Sequence, residues 1–219
     1  TVGRNGRDEN LLAAPELLAR SGIDFHRTDR GGDATYHGPG QIVGYPIVDL
    51  REWKRDVVAY VRALEQTLIE TLADFGIGAG REPGATGVWT ASGKIAAIGV
   101  HISRWVTSHG FALNVDTDLD YFRYIIPCGL DKPVTSMRAL GCHAERDRVV
   151  AALARRFAQV FDRCAATTSA QPEALCAATT SAQPEALCAA TTSAQPEALC
   201  AATTSAQPEA LCAAIDNGD

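Results

Sequence analysis

From Cys164 to Leu211 the chain repeats one twelve-residue unit, Cys-Ala-Ala-Thr-Thr-Ser-Ala-Gln-Pro-Glu-Ala-Leu, four times without a difference, and Cys212 opens a fifth copy. A twelve-residue step turns a helix by about 120° per copy, so no constant apolar face can form. Pro172, Pro184, Pro196 and Pro208 would interrupt a continuous helix in any case. The unit is also too rich in Ala, Thr and Ser to bury a core. The repeat therefore predicts a low-complexity, weakly structured tail over 164–219. A folded domain has to be built from residues 1–163.

That division sorts the charges and the cysteines. The tail has no Lys or Arg, and its six acidic residues (Glu173, Glu185, Glu197, Glu209, Asp216, Asp219) account for the whole net charge of −6. Residues 1–163 carry 20 basic and 20 acidic side chains, and a neutral domain gives no support for nucleic-acid binding. Five of the seven cysteines belong to the repeat. Cys128 and Cys142 lie outside it and read as free thiols, and no Cys-x-x-Cys or His/Cys cluster suggests a metal. No apolar run reaches the length of a membrane span and no secretory pattern opens the chain, which predicts a cytoplasmic protein.

Within 1–163, two helices are legible from their spacing. Val57, Val61, Leu64, Leu68, Leu72 and Phe75 share one face, with Asp56 placed to cap the start and Gly76 to close the end. Val149, Val150, Leu153, Phe157, Val160 and Phe161 form a second stripe. Asp8 to Arg20 predicts one or two short helical turns, the second begun by Pro15. Strands are expected at Ile23–Arg27, Ile42–Leu50 (with Pro46 forcing an edge or bulge), Gly87–Thr90 and Lys94–Ser103. Thr107–Val115 is expected to pair with Lys94–Ser103 as a hairpin. The two helices each need a sheet face to cover, so the pattern predicts an α/β domain of the α+β kind with a mixed sheet.

The chemistry concentrates in a few places. Arg30-Gly31-Gly32-Asp33-Ala34-Thr35-Tyr36-His37-Gly38-Pro39-Gly40-Gln41 holds four glycines and a proline. A glycine-rich loop lets another molecule approach the backbone, but this one matches neither a Walker loop nor a dinucleotide fingerprint. By itself it is a site, or an elaborate turn. Pro127-Cys128-Gly129 sets a thiol between a rigid and a permissive residue. Lys94 opens an otherwise apolar strand, and a cation near a thiol would lower the thiol's pKa. His37, His101 and His109 are further candidates.

Taken together these stretches resemble the octanoyltransferases, also called lipoate-protein ligase B. The resemblance rests on the loop from Arg30 to Gln41, on Gly93-Lys94-Ile95-Ala96-Ala97-Ile98-Gly99-Val100, on His109-Gly110-Phe111-Ala112-Leu113-Asn114, and on Pro127-Cys128-Gly129 with Val134-Thr135-Ser136. The order and spacing of these motifs agree over about residues 1–160. The resemblance implies the catalytic-domain fold of the biotin and lipoate protein ligases. It also implies transfer of an octanoyl group from octanoyl-acyl carrier protein to a lysine of lipoyl domains, those of 2-oxoacid dehydrogenases and of the glycine cleavage H protein. It implies no cofactor, no metal and no membrane or nucleic-acid partner.

Residue by residue, the acyl-thioester cysteine falls on Cys128 and the lysine that lowers its pKa on Lys94. The substrate-binding backbone falls on Arg30, Gly31, Gly32, Asp33, Ala34, Thr35, Tyr36 and His37, on Ala97, Ile98 and Gly99, and on Gly110, Phe111 and Ala112. Small residues there leave a slot for an alkyl chain. Members of the family carry some tens of residues before the position of Thr1, so the resemblance also implies a domain lacking its N-terminal part. Three competing readings remain at this point: an ATP-dependent lipoate or biotin ligase of the same fold, a non-catalytic module that binds lipoyl domains, and a Cys/His hydrolase using Cys128 with His37 or His109. A ligase needs no cysteine nucleophile, which speaks against the first.

Overall fold

A computed structural model of the chain describes residues 1–126, 133–163 and 210–211. After a 3-10 turn at Asp8–Asn10 come α1 (Pro15–Arg20), β1 (Gln41–Gly44), α2 (Val57–Asp74), β2 (Gly80–Glu82), β3 (Ala85–Thr90), β4 (Gly93–Ser103) and β5 (Val106–Asn114). Two more 3-10 turns, Leu119–Tyr124 and Arg138–Leu140, lead to α3 (Arg146–Phe161), and Ala210–Leu211 forms a short β6. The sheet order is β2-β3-β4-β5-β1-β6, antiparallel except where β6 meets β1. This is the mixed α/β sheet that the pattern predicted.

The α2 helix forms where its spacing placed it. The Asp56 carboxylate accepts from the Ala59 N–H at 2.9 Å, satisfying a donor that the first turn leaves open. Leu68 and Leu72 are buried against Ile42, Val88, Ile95 and Leu113 of the sheet. From α3, Val149 and Leu153 join the same core, while Phe157 and Phe161 fill a second one with Leu50, Tyr60 and Leu64. Phe161 stacks on Phe157 with ring centroids 4.2 Å apart. Asp74, at the end of α2, receives the guanidinium groups of both Arg155 and Arg156 and ties the two helices together.

Two expected strands differ. Ile23–Arg27 is not a strand; within it only Arg27 pairs, through a single isolated bridge to Val2. The strand expected over Ile42–Leu50 stops at Gly44, because Pro46 has no N–H to continue the ladder. Val48 and Asp49 then reattach to the start of β5 by isolated bonds. The β4–β5 hairpin is as expected. Its turn is made by Arg104 (φ 51°) and Trp105 (φ 69°), the double positive-φ geometry that two-residue hairpins favour, here without a glycine.

One irregularity decides what the site looks like. The pairing of β3 with β4 runs Val88↔Ala96 and then Trp89↔Lys94, so β4 has one residue more than β3 across that step. A bulge of this kind turns side chains from one face of a strand to the other. Lys94 consequently lines the same gap as Ala97 and Ala112, away from the helices.

Candidate active site

The glycine-rich loop lies flat on the outer face of β4. The Gly31 N–H donates to Val100 O at 2.8 Å, and a Cβ on Gly99 would stand 2.8 Å from Gly31 O, so neither backbone could come so close with a side chain between them. Arg30 acts as a splint: Nη1 donates to Gly31 O and Nη2 to Thr1 O, both at 3.0 Å. The Asp33 carboxylate accepts from the Ala34 N–H at 2.7 Å and from the Asn10 side chain. Tyr36 stacks on Tyr121 at 5.1 Å and meets Phe122 edge-on at 5.5 Å. Burial raises the Tyr36 phenol above its ordinary pKa, helped by Tyr121 and Asp118.

Two cavities flank this loop. The one bounded by the sheet has a volume of about 160 Å³ and is lined by Arg30, Gly32, Asp33, Thr35 and His37 from the loop, Ala97, Ile98 and Gly99 from β4, and Gly110, Phe111 and Ala112 from β5. Three stretches separated in the sequence thus line one pocket. His109 also lines it, as do Thr1, Thr28, Val43 and Tyr45, which sequence reasoning missed. Gly31 holds the loop to β4 instead. Ala34 and Tyr36 belong, with Thr35 and His37, to the wall of a larger cavity of about 420 Å³ on the other side of the loop. Most of the predicted binding residues line the smaller space, which shares Thr35, Ala97 and Ala112 with a narrow gap that Lys94 lines.

Lys94 is 5 % exposed. Its N–H donates to Pro133 O and its carbonyl accepts from the Thr135 N–H, each at 2.9 Å. Lys94 therefore grips the chain immediately after the segment that contains Cys128. Cys128, named from sequence as the nucleophile, lies outside the described residues.

A polar relay joins the motifs. His37 Nδ1 donates to Gln41 Oε1 at 2.8 Å; Gln41 Nε2 donates to Asn114 Oδ1 at 2.8 Å; Asn114 Nδ2 donates to Thr135 O at 3.0 Å. The Gln41 amide uses its NH₂ on Asn114 and on Tyr36 O, so its oxygen is left to accept from His37. That fixes the His37 tautomer with the proton on Nδ1 and the lone pair on Nε2. Burial lowers the His37 pKa to about 4, with the Gln41 bond opposing, and the ring is neutral at neutral pH. Sequence reasoning missed Gln41 and Asn114 as site residues; their signal is a polar side chain at the end of an otherwise apolar strand, Gln41 opening β1 and Asn114 closing β5.

His101 and His109 sit apart from this relay. His109 Nε2 donates to Asp29 Oδ1 at 2.6 Å and His101 lies 3.3 Å from Asp29 Oδ2, on the exposed side of the hairpin. The His109 bond is the main reason that the Asp29 carboxyl falls below its ordinary pKa. Among the described residues no group of three or more His, Cys, Asp or Glu could hold a metal, and no helix is long and apolar enough to cross a membrane.

Known proteins resemble the chain in both sequence and fold. An octanoyltransferase of Solibacter usitatus is 68% identical over 162 residues, 74% of each chain. Those of Koribacter versatilis and Gloeobacter violaceus are 54% and 51% identical over 74% of this chain, and 67% and 70% of their own lengths. Among solved structures, lipoate-protein ligase A bound with ATP superposes with a TM-score of 0.60 at 19% identity, covering 74% of this chain and 68% of that one. A bi-partite lipoate protein ligase from Thermoplasma acidophilum gives 0.59 at 19%, covering 74% and 66%. At that identity the likeness concerns the fold. The profile described as the lipoyl protein ligase A/B catalytic domain matches residues 1–158. By sequence and by fold, the chain belongs to the lipoyl protein ligase A/B catalytic domain family.

Proposed function

We propose that this chain is an acyltransferase that moves an octanoyl group from octanoyl-acyl carrier protein, through a thioester on Cys128, to the ε-amine of a lysine in a lipoyl domain. The observation that carries the reading is the 68% identity to an octanoyltransferase over 162 residues. It is supported by a small-residue pocket that leads from the glycine loop toward a buried lysine. The acceptors would be lipoyl domains of 2-oxoacid dehydrogenases and the glycine cleavage H protein.

In the first half-reaction the Cys128 thiolate attacks the carbonyl carbon of the donor thioester. A new C–S bond forms, the bond to the carrier's sulfur breaks, and the carrier leaves as a thiol with the proton that the Lys94 ammonium gives up. The Lys94 ammonium favours the attacking thiolate. In the second, the acceptor amine attacks the Cys128 thioester, a C–N bond forms and the C–S bond breaks. Lys94, by then neutral, takes the proton from the incoming nitrogen and can return it to the sulfur. A thioester is already activated, so the amide forms without ATP. Acyl carbons fit against Ala97, Gly99, Gly110 and Ala112, which present little beyond backbone and methyl groups, while Ile98 and Phe111 add apolar surface.

The test is intact mass after incubation with octanoyl-acyl carrier protein and no nucleotide. We expect one octanoyl adduct on the wild type that hydroxylamine removes and that Cys128→Ala lacks. An adduct that persists in Cys128→Ala, or a strict requirement for ATP, would overturn the proposal in favour of ligase chemistry.

A further inference from the structure

The smaller pocket has unequal ends. Its floor is the outer face of the sheet, where Ala97 pairs with Ala112 and Gly99 with Gly110. Ala112 pairs in turn with Val43 of β1, so the floor crosses three strands and meets its first branched side chain there. Beyond Gly44 the chain rises off the sheet. A Cβ on Gly110 would collide with Gly44 O and with Pro46 Cδ, so residues 44–46 pass over that glycine as a lip. Tyr45 sits on this lip and lines the pocket. It is 39 % exposed, and burial raises its phenol above the ordinary pKa. The end toward the β4–β5 turn is polar: His109 lines the pocket there and donates to the Asp29 carboxylate. An alkyl chain laid against that pair would take water from a carboxylate, whereas Val43 and Tyr45 offer it apolar contact.

We propose that Tyr45, with Val43 beside it, is the end stop that sets the length of acyl chain this pocket accepts. This rests on the reading of the smaller pocket as the acyl site. An acyl group is attached through its carbonyl, so that end lies where the pocket adjoins the gap that shares Thr35, Ala97 and Ala112. The methyl end then lies across the floor. From Ala97 to Tyr45 the sheet runs two strands across and two residues along, roughly 12 Å on the diagonal. The seven carbon–carbon bonds of an extended octanoyl group span roughly 9 Å, and the eleven of a dodecanoyl group roughly 14 Å. The first fits the diagonal and the second overruns it. A floor of alanine and glycine grips no particular carbon, so discrimination by length falls to the stop.

The experiment measures kcat/KM with hexanoyl-, octanoyl- and dodecanoyl-acyl carrier protein, without nucleotide, for the wild type, Tyr45→Ala, Tyr45→Phe and Val43→Phe. The readout is the ratio between chain lengths, which a general loss of stability would not move. We expect Tyr45→Ala to raise the dodecanoyl-to-octanoyl ratio about tenfold, because the chain end can then pass out over the lip. Tyr45→Phe keeps the ring and should return that ratio to the wild-type value. Val43→Phe fills the floor beside the stop and should raise the hexanoyl-to-octanoyl ratio by a similar factor. Thermal shift with free octanoic and dodecanoic acids reads the same preference without any reaction. Suppose the wild type transfers from no carrier, yet octanoic acid stabilises it more than dodecanoic acid does and Tyr45→Ala removes that difference. The transfer reading then falls and the end stop stands. A wild type that takes dodecanoyl as readily as octanoyl, or a Tyr45→Ala protein with the wild-type ratio, overturns the end stop and leaves the transfer reading intact. Should Tyr45→Ala fail to fold, Val43→Phe decides, and an unchanged hexanoyl-to-octanoyl ratio overturns the proposal.

Discussion

His37 shows how a residue in the pocket wall can govern the chain's response to acid. Its folded pKa of about 4 lies below the ordinary histidine value near 6.5, because burial penalises the imidazolium. Above pH 6.5 the ring is neutral in both folded and unfolded chains and has no effect. Between about 6.5 and 4 the unfolded chain binds the proton that the folded one refuses, so stability falls as pH falls, and below 4 the loss is complete. We expect His37→Gln to flatten this part of the stability curve, measured by urea unfolding at pH 7, 5.5 and 4. An unchanged slope would show that the ring is solvated in the folded chain. The sequence placed His37 and Lys94 in their motifs, yet it could not show that Lys94 faces the pocket. Alternation counted from Ile98 puts Lys94 on the helix side, and only the extra residue of β4 returns it.

At the scale of elements, α2 does more than cover the sheet. Its Glu65 is 1 % exposed and accepts from Arg62 at 2.8 Å, from Arg81 on β2 at 3.0 Å, and from the Gly87 N–H on β3. One carboxylate so fastens the helix to β2 and β3. Glu65→Ala leaves the Gly87 N–H buried without an acceptor and should cost about 2–3 kcal/mol by chemical denaturation, with Glu65→Gln costing less because it keeps an acceptor. Equal losses in the two would mean that charge rather than the hydrogen bond matters. Both long helices were legible because a 3.6-residue period survives over sixteen or eighteen residues. Glu65 was hidden by the same pattern, which reads a charged residue beside the apolar stripe as solvent-facing. The short strands were less legible: Ile23–Arg27 has strand composition but no neighbour to pair with beyond one bridge, and Pro46 ended β1 sooner than its apolar run suggested.

Taken whole, the molecule divides between a domain whose motifs meet at one pocket and a repeat that contributes only the Ala210–Leu211 pairing among the described residues. We expect a chain ending at Arg163 to keep the wild-type transfer rate, measured with octanoyl-acyl carrier protein and a lipoyl domain. A large loss in a folded truncation would give the repeat a part in catalysis. The polar relay has a separate consequence for anyone who would rebuild the pocket. His37, Gln41, Asn114 and Thr135 are spread over nearly a hundred residues, yet each fixes the orientation of the next. Transplanting the glycine loop from a relative that lacks a matching amide on β5 would leave a glutamine free to flip and a histidine free to change tautomer. The heritable unit of this pocket is therefore the four-residue set, and a chimera should be cut so that the set travels together.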